Sequence, residues 1–226
     1  MHLRYETRHE AGAEIAPHRH EHAYAALVLS GAYEEAGPDG VWACGEGALI
    51  LHPPFHLHLN RFAAGAARVL NFTLPHDLAR ALGAHDYGVF QLRDPSRVAG
   101  CTHARDAIDE ALDQSEALPR ANTGSWLDAL AEALAAERPP SVAALARRTG
   151  VTPEHAARAF RKRFGMSPAA FRGEHRVRRA LAGLADGRRS LSDIAQDVGF
   201  SDQAHFCRGL RQATGRSPSA LRALLS

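Results

Sequence analysis

Histidine side chains cluster near the start of the sequence at a spacing that suits metal binding. Eight of the fourteen histidines lie in the first 60 residues. His18, His20 and His22 alternate, so in an extended segment their imidazoles project from one face. Alternating histidines from two neighbouring strands can converge on one ion, because neutral imidazole is a common ligand. Two interpretations stay open: surface or strand-edge histidines without metal, or a metal site at His18, His20, His22 and His58, which would suit Zn²⁺ or another borderline cation better than Mg²⁺.

Arginines near the other end of the sequence suit nucleic-acid binding. Residues 145–172 and 194–222 repeat one pattern: a helix of small residues, a glycine, an arginine-rich helix and Gly-x-Ser-Pro. Internal repetition is a strong architectural signal, and a basic helix after a glycine turn can enter a DNA major groove. Arginine can bond guanine O6 and N7 together or bind a phosphate. The repeat therefore predicts two DNA-contacting helices.

Helical spacing gives each of these arginine-rich helices an inward and an outward face. Ala156 (or Ala159) and Phe160 are predicted to face inward in the first copy. In the second copy, Phe206 and Leu210 face inward and Phe200 fills the core. The outward residues are either a solvated helix face or the DNA-contacting set, and we favour the latter for Thr152, His155, Arg158, Arg161, Lys162, Gln203, His205, Arg208 and Arg211.

Charge is distributed unevenly along the chain. Residues 141–226 contain 16 lysines and arginines against 6 acidic residues, whereas the remainder contains 11 against 19. Such asymmetry indicates that the basic segment binds nucleic acid. A basic run alone is weak evidence, but this excess coincides with the repeat.

The elements that position the histidines are predicted to be short strands. Candidate strands at 22–31, 48–52, 56–62 and 68–74 are separated by turn-forming segments such as Gly37-Pro38-Asp39-Gly40 and Ala63-Ala64-Gly65. This spacing favours a β-sandwich or small barrel. A short helix at 76–82 and a strand at 88–92 follow.

Two helices are predicted before the repeat. Apolar residues recur at helical spacing over 97–118, and a second helix capped by Thr123 carries Trp126 and Leu130 on one stripe. They pack against the domain core or form an interdomain or dimer pair, and the pattern leaves both open. Pro139-Pro140 breaks the chain, so we expect an α+β protein of two domains: a sensing domain at 1–95, helices at 96–139 and an all-α domain at 140–226.

Capping residues delimit the helices of the repeat. Ser141 is predicted to cap the first helix, Gly150 closes the turn, and Thr152 caps the next helix, with Pro153 at its first position. In the second copy, Ser190 or Ser192 is the cap and Gly199 the turn.

The C-terminal segment GFSDQAHFCRGLRQATGRSPSALR, preceded by IAQDV, resembles the signature sequence of the AraC/XylS family of bacterial transcription regulators. The resemblance covers roughly 85 residues, including one extra residue in the second copy. It implies seven helices, a long central helix over 168–185 and recognition helices in successive major grooves. It also implies that Arg158 and Arg208 are principal DNA contacts. Glu154 stands at another contact position, where its carboxylate would repel phosphates but accept from a cytosine amino group.

The N-terminal sequence resembles that of a cupin barrel, a domain that such regulators commonly carry. The motif G-x5-HxH-x3-E-x6-G fits Gly12, His18, His20 and Gly31, but Tyr24 replaces its glutamate. A looser second motif ends in His56 or His58, followed by Asn60. Sensor cupins of this family usually bind small organic effectors and often lack metal. We assign effector contacts to Tyr24 and His52 and require no cofactor.

These features predict a transcription regulator, not an enzyme, that binds duplex DNA and is controlled by a small molecule or metal. The alternative is a metal-dependent cupin oxygenase or isomerase fused to a DNA-binding domain. RNA polymerase and a second copy of the chain are further candidate partners, whereas a membrane is not. Three separate cysteines and a charged N-terminus without a signal peptide predict a cytoplasmic protein.

Overall fold

A computed structural model describes residues 4–62, 65–81, 87–121, 123–137 and 139–225. It divides into two compact units, Met1–Thr123 and Gly124–Ser226. The first unit is rich in strands and the second is helical, which confirms the predicted α+β class. Leu82 of the first predicted helix and Ala63 and Ala64 of a predicted turn lie outside the described residues.

The described strands of the first unit form two antiparallel sheets. The six-stranded sheet has the order β1-β8-β3-β6-β9-β10, and the four-stranded sheet has the order β2-β7-β4-β5. The strands are β1 (Arg4–His9), β2 (Glu14–His18), β3 (Tyr24–Ser30), β4 (Tyr33–Gly37), β5 (Gly40–Cys44), β6 (Ala48–His52), β7 (His58–Arg61), β8 (Ala67–Thr73), β9 (Gly88–Leu92) and β10 (Ser115–Ala117).

Most of the predicted strands are present. Those at 48–52 and 88–92 coincide with β6 and β9, and those at 22–31, 56–62 and 68–74 overlap β3, β7 and β8. Strand β3 lies between two apolar cores because successive side chains point to opposite faces. Ala25 and Leu27 join the core formed with the helices, whereas Ala26 and Val28 join a second core containing Trp42 and other residues.

Three described helices belong to the first unit: α1 (His76–Ala81), α2 (Pro95–Gly100) and α3 (Ala104–Gln114). The prediction of one helix over 97–118 was therefore too long at both ends. Ser115 pairs instead with Leu92 as β10 joins β9, so sheet formation overrides the helical spacing. Ile108 is buried in the core, so this helix packs against the domain core, one of the two alternatives that the sequence left open.

The second unit contains seven described helices, the number that the family resemblance implied. They are α4 (Trp126–Ala135), α5 (Val142–Arg148), α6 (Pro153–Phe164), α7 (Pro168–Ala185), α8 (Leu191–Asp197), α9 (Gln203–Thr214) and α10 (Pro218–Leu225). The sequence placed α4 in a linker before the double proline, but α4 packs against α5, α6 and α7. Of all described helices, none is both long and apolar enough to span a bilayer.

Candidate nucleic-acid interface and effector cavity

The two helix-turn-helix motifs, α5–α6 and α8–α9, have matching local geometry. Gly150 and Gly199 adopt φ of 72° and 81° in the turns, a region that glycine enters without steric cost. The Thr152 hydroxyl accepts a hydrogen bond from the His155 amide at 3.2 Å, as predicted for a cap. Asp202 performs the same function for α9. Local hydrogen bonds thus fix where each second helix begins.

The caps of the first helices also settle an alternative that the sequence left open. Ser141 accepts a hydrogen bond from the Ala144 amide at 3.1 Å and caps α5. Ser190 accepts one from the Asp193 amide at 3.1 Å, so Ser190 and not Ser192 caps α8.

The inward face of each motif is apolar. Ala156 and Phe160 are fully buried on α6, whereas Ala159 is half-buried, which decides between the two predicted alanines. Phe206 and Leu210 are fully buried on α9. The inward faces anchor α6 and α9 and leave their opposite faces to solvent.

Phe200 is half-buried beside Phe206, with ring centroids 5.5 Å apart. It therefore lies at the edge of the core, whereas the sequence predicted that it fills the core. It belongs to the longer turn of the second copy, which holds the extra residue. The Arg176 guanidinium lies 5.6 Å from the centroid of the same ring.

Every residue predicted to contact DNA is exposed on the outward face of α6 or α9 or at its cap. Helix α6 ends with Arg161, Lys162 and Arg163 in its last turn. Glu154, by contrast, lies in the first turn of α6, where a carboxylate interacts favourably with the helix dipole. Contact with DNA stays a prediction for Thr152, Glu154, His155, Arg158, Arg161, Lys162, Gln203, His205, Arg208 and Arg211.

Helix α4 completes the helical unit. Leu130 and Leu134 are buried, and the Asp128 carboxylate pairs with the Arg163 guanidinium of α6 at 2.7 Å. Arg179 of α7 also donates to the Ala135 carbonyl at 3.3 Å. The interface scaffold therefore begins before the double proline, and the leucine spacing of α4 was the available signal for this packing.

In the first unit, a cavity of about 130 Å³ is lined by residues from both sheets. Tyr24 and His52, the predicted effector contacts, both line it. Their rings stack with centroids 4.3 Å apart because the two residues are paired in register across β3 and β6. The cavity also receives polar side chains from several other strands: Thr7, His9, His18, Glu35, His58, Asn60 and Asn71.

Three of the four predicted metal ligands come together. His18 of β2 pairs in register with His58 of β7. One ring nitrogen from each of His18, His20 and His58 lies within 4.8 Å of the others, and we call these residues the outer triad. His22 is exposed beyond a bend at 21–22 and is not part of this group, so its prediction as a fourth ligand is not supported by the geometry.

Tyr24 lies beside the outer triad, at the position that carries glutamate in the cupin motif. Its hydroxyl donates a hydrogen bond to Nε2 of His58 at 2.9 Å if Nδ1 of that ring carries the proton. Burial lowers the pKa of His58 well below 6.5, and nearby His18 lowers it further. His58 is therefore a neutral imidazole, the form that binds metals.

A buried carboxyl group was missed by the sequence interpretation. Burial raises the pKa of Glu35 to about 8, against hydrogen bonds from Tyr87, Asn60 and Tyr33 that lower it. Asn60 donates to the Glu35 carboxyl at 2.8 Å, and the two residues are paired across β4 and β7. No spacing motif marked Glu35, because its burial depends on the pairing of β4 with other strands.

Comparison with known proteins identifies the helical unit. Residues 145–223 match a family described as a helix-turn-helix domain. The chain is 32% identical over 82 residues to the arabinose operon regulatory protein of Escherichia coli, covering 36% of this chain and 28% of that protein. It is 36% identical over 88 residues to the HTH-type transcriptional regulator GlxA of Rhizobium meliloti, covering 39% and 27%.

Among solved structures, the chain is similar to a transcriptional regulator from Chromobacterium violaceum described as AraC-type, with 27% identity and a TM-score of 0.42 over 45% of this chain and 92% of that one. The family match and the curated relatives show that the C-terminal unit contains a helix-turn-helix domain similar to part of those two regulators. The chain spans under a third of the length of the curated relatives it matches. The family match leaves residues 1–144 outside it, so the cupin resemblance stays a prediction.

Proposed function

We propose that this chain is a sequence-specific DNA-binding regulator of transcription whose N-terminal unit binds an effector. The observation that carries the proposal is the duplicated helix-turn-helix: both second helices bury an apolar face and expose arginines on the other. Arginines on such a helix can read guanine in the major groove. Its partner is duplex DNA in the cytoplasm, with RNA polymerase and a second copy of the chain as further proposed partners.

The effector is a small molecule or a metal ion bound at the cavity of the first unit. Tyr24 and His52 provide aromatic and polar contacts for a small molecule, and the outer triad provides imidazoles for an ion. Effector binding shifts an existing balance between conformations with different DNA affinity, because a ligand favours the state that it binds more tightly. Regulation, and not turnover of a substrate, is the proposed activity.

Selection of duplexes from a randomised pool by the full chain, at fixed salt, tests the DNA-binding part. We expect enrichment of one sequence that binds at least about 10³-fold tighter than random duplex. Equal binding to random and selected duplexes would refute the proposal. Repeating the titration after chelation and after addition of Zn²⁺ tests the metal form of the effector proposal.

A further inference from the structure

A second group of histidines lies deeper in the first unit than the outer triad. His52, His56 and His58 are all buried, and one ring nitrogen from each lies within 4.8 Å of the others. We call these residues the inner triad. The cupin motif does not require this set, and His56 takes no part in the outer triad.

The spacing of two nitrogens in the inner triad matches a zinc coordination shell. Nδ1 of His52 and Nδ1 of His56 are 3.4 Å apart. Two imidazole nitrogens on a tetrahedral Zn²⁺, each at 2.0–2.1 Å from the ion, are separated by about 3.3–3.4 Å. A hydrogen bond of this length is at the long end for protein donors and acceptors, which commonly lie about 2.7–3.2 Å apart.

The other nitrogen of each of these rings faces a carboxyl group. Nε2 of His56 lies 2.7 Å from Oδ2 of Asp39, at the tip of the β4–β5 hairpin. Nε2 of His52 lies 3.4 Å from Oε1 of Glu35. Metal-binding histidines commonly donate their second N–H to a carboxylate, which fixes the tautomer and strengthens the ligand. His56 therefore has the close carboxylate partner commonly found behind a zinc ligand, whereas His52 faces the Glu35 carboxyl at a longer distance.

Aromatic stacking holds both rings in place. Tyr24 stacks on His52 with centroids 4.3 Å apart and planes 8° apart. Tyr87 stacks on His56 with centroids 4.2 Å apart and planes 13° apart. Because the rings are already oriented, metal binding needs little loss of side-chain freedom.

His58 makes the inner and outer triads alternatives. Nδ1 of His58 is 3.3 Å from the His56 carbonyl; if it donates to that oxygen, only Nε2 has a lone pair for a metal. That lone pair accepts a hydrogen bond from the Tyr24 hydroxyl at 2.9 Å, which an ion would replace, and it can bind only one ion. His18 and His20, the remaining outer ligands, are only half-buried, whereas His52 and His56 are buried.

We propose that the inner triad is the zinc position of this protein, and that it binds Zn²⁺ in preference to the outer triad. Asp39 orients His56 through its contact with Nε2, and Glu35 faces Nε2 of His52 at a longer distance. Because His52 and His58 line the cavity, a water or an effector atom there can supply the fourth ligand. The inference refines the metal form of the proposed effector site and is independent of DNA binding.

Zinc titration of the full chain, purified without a histidine tag and stripped with a chelator, tests this proposal. Binding is measured by competition with a chromophoric chelator, and Co²⁺ absorption reports tetrahedral coordination. We expect one ion per chain, with affinity lowered at least about 100-fold in His52→Ala and His56→Ala. His18→Ala and His20→Ala are expected to bind as the wild type does, as is the control His22→Ala at an exposed histidine.

Asp39→Asn keeps every ligand and is expected to lower zinc affinity by about 10–100-fold. Because Asp39→Asn leaves the buried histidines in place, its loss of affinity cannot be attributed to a folding defect caused by removing one of them. Circular dichroism of each metal-free variant checks the fold. Zinc lost in His18→Ala or His20→Ala but retained in His56→Ala would overturn the inference while leaving the proposed metal effector intact. Absence of zinc binding in the wild type would overturn both and leave the DNA-binding proposal untouched.

Discussion

Arg158 and Arg208 occupy equivalent places on the exposed faces of α6 and α9. A bidentate contact with a base contributes about 1–3 kcal/mol of discrimination. We therefore expect Arg158→Ala and Arg208→Ala each to weaken binding to the selected duplex by about tenfold or more, measured by gel-shift titration at fixed salt. Unchanged affinity in either variant would refute the assignment of that residue.

The matched control is Arg8→Ala in the first unit. The Arg8 side chain is 77% exposed, and its replacement removes the same charge from a unit that holds neither α6 nor α9. It is expected to leave affinity for the selected duplex unchanged. Thermal unfolding of all three variants separates loss of contact from loss of folding.

Glu35 makes stability depend on pH. Its pKa is raised from 4.5 to about 8 by burial, so between these values the folded chain keeps a proton that the unfolded chain has released. Stability consequently falls as pH rises through this window. Burial lowers the pKa of His52 well below 6.5, as it does for His58, so these histidines reduce stability only on the acid side of 6.5.

In chelator-treated protein, raising the pH from 6.5 to 8 is expected to lower the free energy of unfolding of the first unit by about 2 kcal/mol. Glu35→Gln removes the titrating group and should remove that decrease. Urea unfolding of both proteins at the two pH values measures it. The same decrease in the variant would show that another group is responsible.

The site residues differ in how far the sequence revealed them. His18, His20 and His58 were predicted because alternation along a strand is a local pattern, and Arg158 and Arg208 because helical spacing is local too. Glu35 and Asp39 acquire their roles from strand pairing and from the tip of the β4–β5 hairpin, and such contacts carry no signal in sequence spacing. His56 was named only as an alternative to His58 in the looser second motif.

At the level of elements, local hydrogen bonds made the caps of the repeat predictable, whereas Ser125 and not the predicted Thr123 caps α4. The central helix α7 has the bounds of 168–185 that the family resemblance implied, with Ser167 as its cap and Pro168 at its first position. Strands β4 and β5 were not singled out, although the turn between them was. Their residues depend on the neighbouring strand β7 and on each other for hydrogen bonds, not on a distinctive apolar alternation.

Helix α4 is the element whose role changed most between sequence and structure. A fragment of residues 124–226 retains α4, whereas 140–226 lacks the buried Leu130 and Leu134 and the Asp128 partner of Arg163. Loss of the two leucines alone is expected to lower the free energy of unfolding by about 3–6 kcal/mol. Urea unfolding followed by circular dichroism compares the fragments, and equal stabilities would contradict the assignment of α4 to the helical unit.

At the scale of the whole molecule, the chain combines a sheet-rich unit containing a polar cavity with a basic helical unit. The two units were predictable because charge and element type change along the chain, but their boundary was not. Helix α7 contacts α6 on one side of the repeat and α8, α9 and α10 on the other. Its 18 residues extend over about 27 Å and connect the first motif to the second. We propose that the two motifs bind adjacent major grooves.

Hydroxyl-radical footprinting on the selected duplex tests the central claim, that two motifs read DNA together. The account predicts two protected segments centred about 10 base pairs apart on one face of the duplex. Arg158→Ala should remove protection from one segment and Arg208→Ala from the other. A single protected segment, or loss of the same segment in both variants, would contradict the account.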